Sequence, residues 1–180
     1  MKRMMLKDII KDLISQLGTK KCVLDPLVLE QYKTDKSYEK GYLPQCVVYA
    51  ENKLDIQIVL KLVNIHKCPL TIRAAGSGKS GGAVPEKDGI VLSLEKLNQI
   101  LEIDKDNACI TVEPGVVTDR INEATEAFNL FYPPNPSSSH WCTIGGNIAE
   151  NAGSSNAFKY GVTGDYVLGL EGVWANGESF

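Results

Sequence analysis

The 180-residue sequence predicts an α+β fold in which a strand–helix–strand unit precedes a β-hairpin. Apolar runs at 46–49 and 69–72 flank an amphipathic helix at about 53–66. The short links between them favour two parallel strands with a right-handed crossover. Apolar runs at 100–103 and 109–112 are joined by a turn-rich tetrapeptide, which predicts an antiparallel pair. Two glycine-rich loops interrupt these elements.

The chain begins with a predicted amphipathic helix, and Gly18 stands where a left-handed C-cap is expected. Asp25 followed by Pro26 predicts the N-cap and first turn of a second helix that ends near Tyr32. Residues 33–44 are polar and predict a loop. The apolar face of the first helix consists of Leu6, Ile9, Ile10, Leu13, Ile14 and Leu17.

Local signals also mark the later elements. Asn52, with Asp55 three residues later, predicts the start of the third helix. An apolar run at 90–94 predicts a further strand. After the hairpin, spaced apolar residues predict a helix that ends near Asn129, and a short helix is predicted at 146–150.

The last fifteen residues predict a hairpin. Residues 166–175 follow a strand pattern, Asn176-Gly177 is typical of a type I′ turn, and residues 178–180 begin a returning strand. Because the second arm is so short, we expect a chain that is incomplete at its C-terminal end, as a fragment or a split or shortened gene product would be.

Composition disfavours several functions. The net charge of −3 and the scattered basic residues argue against nucleic-acid binding and against attraction to a membrane. The N-terminus has neither a signal peptide nor a transmembrane pattern. Five widely spaced cysteines argue against a disulfide framework, and two histidines are too few for a histidine-rich metal centre. These features predict a cytoplasmic protein with reduced thiols and no metal site.

The first glycine loop, residues 73–83 (RAAGSGKSGGA), has four glycines in eleven residues and directly follows a predicted strand. Glycine allows sharp turns and close approach of a ligand to the backbone, and successive N–H groups in such a turn bind anions. Ligands also gather at the carboxyl ends of strands in α/β folds. We therefore predict a phosphate site at 74–81.

Common nucleotide motifs fit this loop poorly. A Walker A motif needs a glycine five residues before Gly78, where this chain has Arg73. Gly76, Gly78 and Gly81 match the Rossmann letters, but Val84-Pro85 follows where that motif opens a helix. A protein-kinase loop is disfavoured because the chain has no catalytic-loop or Asp-Phe-Gly pattern.

The second glycine loop, residues 132–164, contains glycine, serine and asparagine between aromatic residues, which predicts a site for a long ligand with phosphates and rings. Ser137–Ser139 and His140 lack a nucleophile elbow and predict loop hydrogen bonds. Cys142 lacks a nearby cation and predicts packing. His66, at a helix end, predicts a structural role.

Six motifs that occur in order along the chain give it a specific resemblance to a known protein family. The segment from about residue 20 to the end resembles the FAD-binding domain of the vanillyl-alcohol oxidase and p-cresol methylhydroxylase (PCMH) superfamily, nearest to the glycolate oxidase and D-lactate dehydrogenase branch. The motifs are RAAGSGKSGGA (73–83), VEPG (112–115), YPPNPSS (132–138), CTIGGNIAENAG (142–153), KYGVTGDYV (159–167) and GLEGVWANG (169–177).

The resemblance implies a PCMH-type fold of two α/β subdomains with FAD between them. Residues 1–115 would form the N-terminal region and a small parallel-sheet unit, and residues 116–180 part of a mostly antiparallel sheet with helices. The substrate domain of the family would be absent, so no catalytic residue is assigned to this chain.

The resemblance also assigns cofactor contacts. Residues of the first loop would bind the FAD pyrophosphate, those of the second would surround the isoalloxazine and ribityl groups, and Leu170 would meet the adenine. A serine stands at 77, where relatives with covalent flavin have histidine, which implies non-covalent FAD. The predicted contacts are Ala74, Ala75, Gly76, Ser77, Gly78, Lys79, Ser80, Pro134, Ser138, Thr143, Gly145, Gly146, Asn147, Gly153, Tyr160, Gly161 and Leu170.

The function implied is that of an FAD-binding domain, or truncated subunit, of a flavin-dependent 2-hydroxy-acid oxidoreductase. A 2-hydroxy acid would bind only in a complete enzyme, with a complementary subunit or an electron-transfer partner. Two alternatives stay open: a remnant that keeps the fold without flavin or activity, and a protein similar to UDP-N-acetylenolpyruvoylglucosamine reductase, whose loop patterns match less well.

Overall fold

A computed structural model describes residues 2–180, with side chains from residue 8 onward. The predicted role of Leu6 in the first helix therefore lies outside the described side chains. The helices are α1 Lys2–Leu17, α2 Pro26–Gln31, α3 Lys53–His66, α4 Thr118–Thr125, α5 Ile144–Glu150 and α6 Ala157–Tyr160, with 3-10 turns at Glu126–Phe128 and Thr163–Tyr166. The strands are β1 Cys22–Val23, β2 Val47–Tyr49, β3 Leu70–Arg73, β4 Ile90–Ser93, β5 Ile100–Asp104 and β6 Cys109–Val112.

The chain forms two compact units. The first comprises the chain up to Lys96 together with Glu171–Phe180, and the second comprises Leu97–Leu170. The sequence-based division at residue 115 concerns FAD-binding subdomains and stays a prediction.

The first unit is built on a four-stranded sheet with the order β1-β2-β4-β3. Strands β2 and β3 both pair in parallel with β4, and β1 pairs antiparallel with β2. The predicted direct pairing of the strands on either side of α3 is wrong, because β4 lies between them. All four residues of β4 are buried, as expected for the centre of a parallel sheet.

The helix caps of this unit follow the sequence-based predictions. The Asp25 carboxylate accepts the N–H of Leu27 at 2.8 Å and caps α2. The Asn52 side chain accepts the N–H of Asp55 at 3.0 Å and caps α3. Gly18 has φ +85°, the left-handed conformation expected after the C-terminus of α1.

The second unit contains the predicted antiparallel hairpin. Strands β5 and β6 pair from Asp104 opposite Cys109 to Ile100 opposite Val112, with an irregularity between Ile100 and Glu102. Asp104 accepts two N–H groups of the connecting turn, from Asp106 and Asn107. The following helix α4 continues as a 3-10 turn and ends at Asn129, which has φ +56°.

The predicted strand at 166–175 is wrong. Residues 163–166 form a 3-10 turn, and antiparallel pairing in this part of the described chain is confined to 172–174 with 178–180, where Val173 bridges Ser179 and Gly172 exchanges two backbone hydrogen bonds with Phe180. The predicted hairpin is therefore present, with a shorter first arm than predicted. The N–H of Gly177 donates to the Trp174 carbonyl, and Gly177 alone in this turn has positive φ. Because a type I′ turn needs positive φ at both central residues, the turn type is also corrected, to a glycine-closed three-residue loop.

This C-terminal hairpin packs on α3 within the first unit. The Gln57 amide donates to the Gly177 carbonyl at 2.9 Å, and the Asn64 amide donates to the carbonyl of Ala175. The turn itself lies against the aliphatic part of Lys61. The last ten residues therefore belong structurally with the first ninety-six.

The described part of the chain contains neither a candidate membrane-spanning helix nor a candidate metal cluster. Within it, no helix combines the length and apolar character needed to cross a membrane. Nor does any group of three or more His, Cys, Asp or Glu side chains in these residues come together as a metal site.

Candidate functional site

The first glycine loop lies at the C-terminal end of β3, as predicted. The next regular element is β4, which begins at Ile90, so residues 74–89 contain no helix. A Rossmann pyrophosphate site needs a helix N-terminus directly after its glycines, and this loop cannot supply one. An anion here would be held by groups of the loop itself and not by a helix N-terminus.

Two glycines of this loop are required by the chain's own packing. Gly76 has φ +67°, and a Cβ atom there would lie 2.4 Å from the guanidinium carbon of Arg73. Gly81 has φ +84°, and its Cβ would lie 2.8 Å from Cγ of Glu39. Both positions exclude larger residues, so these glycines shape the loop before any ligand is considered.

Five consecutive backbone amides of this loop, those of residues 75–79, have no acceptor in the described part of the chain. Residues 74–78 are half-buried. A buried N–H without an acceptor is unfavourable, and most are paired in folded proteins. A run of such donors fits an anion with several oxygens, such as a pyrophosphate.

A second candidate surface is α5 in the second unit, where adjacent glycines have different surroundings. The N–H of Gly145 donates to the Pro114 carbonyl at 2.9 Å, and a Cβ at Gly145 would lie 2.7 Å from the Pro114 Cβ. A Cβ at Gly146 would meet only the Thr143 hydroxyl, at 3.6 Å. Gly145 is therefore explained by packing, whereas Gly146 leaves open space on an exposed surface.

Polar side chains beside α5 are held in place. The Asn147 amide donates to the Thr118 hydroxyl at 2.6 Å, and both residues are buried. Thr143 is the N-cap of α5 and is 5 % exposed, but its Oγ1 has no hydrogen-bond partner in the described structure. This hydroxyl is available to a ligand that reaches the start of the helix.

The turn before α5 is held by its own backbone. The Ser138 carbonyl accepts the N–H groups of Trp141 and Cys142, at 2.9 and 2.7 Å. Pro134 is buried. Cys142 is also buried, and its sulfur lies 3.3 Å from the Thr118 hydroxyl. This environment supports packing rather than covalent chemistry for Cys142, and loop hydrogen bonding for the serine run.

An aromatic residue near this turn has an unusual environment. The ring of Tyr132 packs edge-on against Tyr166 with centroids 5.8 Å apart. Burial raises the pKa of Tyr132. Its buried hydroxyl has no hydrogen-bond partner among the described residues. The neutral phenol is a further group that a ligand could contact. It flanks the predicted loop but is not among the predicted contacts.

The remaining predicted contacts lie on the segment after α5. Gly161 has φ +85°, and a Cβ there would lie 2.3 Å from the Asp165 carboxylate, so packing explains this glycine. Gly153 is exposed and meets only ordinary contacts. Tyr160 is 38 % exposed, and Leu170, 58 % exposed, is the last residue of the second unit.

The prediction for His66 is confirmed, and the prediction of loop hydrogen bonding for His140 stays a prediction. His66 Nε2 lies 2.8 Å from the Asp12 carboxylate and links α3 to α1, which confirms a structural role. His140 lies in the turn that precedes α5.

The fold and the two loops define a domain that binds a flavin nucleotide. The chain belongs to the FAD-binding domain family, whose model matches residues 44–180. FAD is therefore its cofactor class. The arrangement of mixed sheets and helices is that of the PCMH-type FAD-binding fold.

Curated relatives agree with the family. The chain is 44 % identical over 147 residues to glycolate oxidase subunit GlcD of Bacillus subtilis, covering 82 % of this chain and 31 % of that protein. It is 35 % identical over 164 residues to D-lactate dehydrogenase of Anaerostipes hadrus, covering 91 % and 34 %. The chain thus spans about a third of the length of the relatives it matches.

A solved structure of p-cresol methylhydroxylase has the same fold, with a TM-score of 0.84 at 24 % identity, covering 98 % of this chain and 35 % of that chain. 4-Ethylphenol oxidase from Gulosibacter chungangensis gives a TM-score of 0.83 at 22 % identity, covering 98 % and 34 %. At this identity the likeness concerns the fold alone.

Proposed function

We propose that this chain is the FAD-binding part of a flavin-dependent oxidoreductase that acts on a 2-hydroxy acid of the glycolate or D-lactate type. The observation that carries the proposal is the half-buried first glycine loop, whose amides at 75–79 have no acceptor within the described chain. The names of the relatives, a glycolate oxidase and a D-lactate dehydrogenase, support the substrate class.

The proposed binding residues divide by unit. In the first unit, the backbone of residues 74–80 holds the pyrophosphate. In the second, the surface of α5 around Gly146 leaves room for the flavin, and the unpaired Thr143 hydroxyl donates to it or accepts from it. Bound FAD supplies a two-electron acceptor for hydride. Ser77 offers no imidazole for a covalent bond, which supports non-covalent binding.

The same proposal assigns the other predicted flavin contacts to orientation of the cofactor. Pro134, Ser138 and Asn147 are positioned by the protein's own packing, and Gly145, Gly153, Tyr160 and Gly161 border the second glycine loop. Leu170 stays a proposed contact of the adenine. No catalytic residue of this chain is proposed.

The complete reaction involves more than these residues. We propose that the 2-hydroxy acid binds in a complete enzyme of the relatives' length, and that a complementary subunit or an electron-transfer partner accepts the electrons. The five cysteines form no disulfide in the described structure, which is compatible with the predicted cytoplasmic location.

Titration of the purified chain with FAD tests the proposal. We expect retention of the flavin band near ~450 nm after gel filtration. At a free FAD concentration 100 times Kd, binding stabilises the folded chain by about 2.7 kcal/mol, which raises the thermal midpoint by several degrees. A folded chain, verified by circular dichroism, with no FAD-dependent shift would contradict FAD binding and support the remnant alternative.

Gly146 is a better position than Gly145 for a binding variant. Substitution of Gly145 changes the packing against Pro114 and therefore the fold, whereas Gly146 has open space. Gly146→Leu is expected to leave the apo chain folded and to weaken FAD binding. If this variant and the unmodified chain bind FAD with equal affinity, α5 is not part of the FAD site.

A further inference from the structure

Arg73 joins the end of β3 to a segment far away in sequence. Its guanidinium donates to the Thr34 carbonyl at 2.6 Å and reaches the carbonyls of Gln31 and Tyr32 at 3.5 Å. It also reaches the carbonyl of Ala83 at 3.5 Å, at the far end of the first glycine loop. One side chain therefore contacts the segment after α2 and both ends of the loop.

The same guanidinium lies directly behind the middle of the loop. Its carbon lies over the Tyr32 ring, 5.2 Å from the centroid, a favourable cation–π contact. A Cβ at Gly76 would lie 2.4 Å from both its carbon and its Nη2. The backbone that carries the unpaired amides thus rests on the guanidinium, and the left-handed φ of Gly76 occurs at this contact.

A second link joins the loop to the same segment. The N–H of Lys36 donates to the Gly78 carbonyl at 3.2 Å. With this carbonyl directed toward Lys36, the peptide planes at 76–79 are restricted from both sides. Arg73 is the residue that holds the segment after α2 and the loop together.

The electrostatic surroundings favour a geometric role over a simple counter-charge. Burial lowers the pKa of Arg73, and Tyr32, Asp35 and Glu95 act in the opposite direction. The guanidinium stays charged at any ordinary pH. Because neighbouring groups already stabilise its charge, the property that distinguishes this side chain from a lysine is its planar set of five donors.

We propose that Arg73 is the positioning residue of the pyrophosphate loop, and that its planar guanidinium sets the loop backbone so that the amides of 75–79 point to one anion. This inference rests on the proposed FAD binding. A lysine at this position would keep the charge but could neither stack on Tyr32 in the same way nor reach several carbonyls at once.

The test compares Arg73→Lys and Arg73→Gln with Arg120→Lys, the same change at an exposed arginine in α4. For each, FAD affinity, the visible spectrum of the FAD-saturated complex and the thermal midpoint without FAD are measured. Both Arg73 variants are expected to raise the Kd for FAD about tenfold or more, with an unchanged flavin band at saturation. Arg120→Lys should bind as the unmodified chain does.

Three results would overturn the proposal. If Arg73→Lys binds FAD within twofold of the unmodified chain, charge alone suffices. If the flavin band changes as much as the affinity, the substitution has altered more than the phosphate loop. If neither variant folds, Arg73 supports the fold rather than the loop. Failure of the unmodified chain to bind FAD would instead contradict the proposed function, so the two failures are distinguishable.

Discussion

Gly145 and Gly146 are neighbours in α5, but replacement of each by alanine is expected to change stability in opposite directions. Alanine is favoured over glycine in a helix interior by about 1 kcal/mol, and Gly146 lies in the first turn, so we expect a gain of roughly 0.5 kcal/mol. No chain atom opposes the new methyl group there, since the nearest, Thr143 Oγ1, would lie 3.6 Å away.

For Gly145→Ala the same helical gain is outweighed. The new Cβ would lie 2.7 Å from the Pro114 Cβ and 2.9 Å from its carbonyl oxygen, distances that force a backbone shift. Overpacking of this kind costs about 1–3 kcal/mol, so after the helical gain the net loss is about 0.5–2.5 kcal/mol. The hydrogen bond from the Gly145 amide to the same carbonyl, 2.9 Å long, would also lengthen.

Thermal unfolding with and without FAD measures both effects. Without FAD, Gly146→Ala should melt about 1–2 °C higher than the unmodified chain and Gly145→Ala several degrees lower. With FAD, Gly146→Ala should bind about tenfold more weakly, because its methyl group occupies space proposed for the flavin. Ala149→Gly, an exposed change in the same helix, is the control and should lower stability without changing affinity.

Two outcomes would refute this reasoning. A more stable Gly145→Ala variant would show that Pro114 yields without penalty. An unchanged FAD affinity in Gly146→Ala would show that the open space beside α5 does not face the cofactor.

Three further predictions concern the first unit. Asn52→Ala should destabilise the chain by about 1 kcal/mol in urea unfolding, because α3 loses its N-cap, and should leave FAD affinity unchanged. Gly76→Ala should weaken FAD binding in a fluorescence titration and also lower the melting temperature, since the methyl group meets Arg73 and the left-handed φ costs about 1–2 kcal/mol. Burial and the hydrogen bond to Tyr49 raise the pKa of Tyr32, so its contribution to stability is present below pH ~10 and is lost as the pH rises further. Tyr32→Phe should therefore show a smaller loss of unfolding free energy between pH ~8 and ~11 than the unmodified chain, and an identical loss would contradict this assignment.

The elements predicted well from the sequence depend on local interactions. Asn52 caps α3 through an amide three residues away, and the turn at Asp104 is closed by groups two and three residues away. Such signals lie within one short window of sequence. They predict where an element begins and ends without knowledge of the rest of the fold.

The errors concern pairing between distant segments. Strand β4 lies between β2 and β3 in the sheet. The sequence does not predict which of the three strands is central, because all three have similar apolar patterns. The strand predicted at 166–175 pairs only near its end, where Gly172, Val173 and Trp174 lie opposite Phe180, Ser179 and Glu178. A strand pattern in the sequence does not show whether a neighbouring strand is available for pairing.

The candidate site was predictable in composition but not in detail. Glycine content and position after a strand indicate an anion-binding loop, and the structure adds that its amides at 75–79 are unpaired. The sequence alone does not distinguish Gly145 from Gly146. They differ in the space available for a side chain, which at Gly145 is filled by Pro114, thirty-one positions earlier. The role of Arg73 depends on carbonyls about forty residues earlier and carries no local signal.

The C-terminal hairpin on α3 has a consequence for the order in which the chain can fold during synthesis. A ribosome produces the helix and the sheet early, but Glu171–Phe180 emerge only after all of Leu97–Leu170. Until then the Gln57 amide lacks the Gly177 carbonyl, and the Asn64 amide, which also donates to Leu60 within α3, lacks the Ala175 carbonyl. The second unit must therefore be translated, and is free to begin folding, before the first is complete.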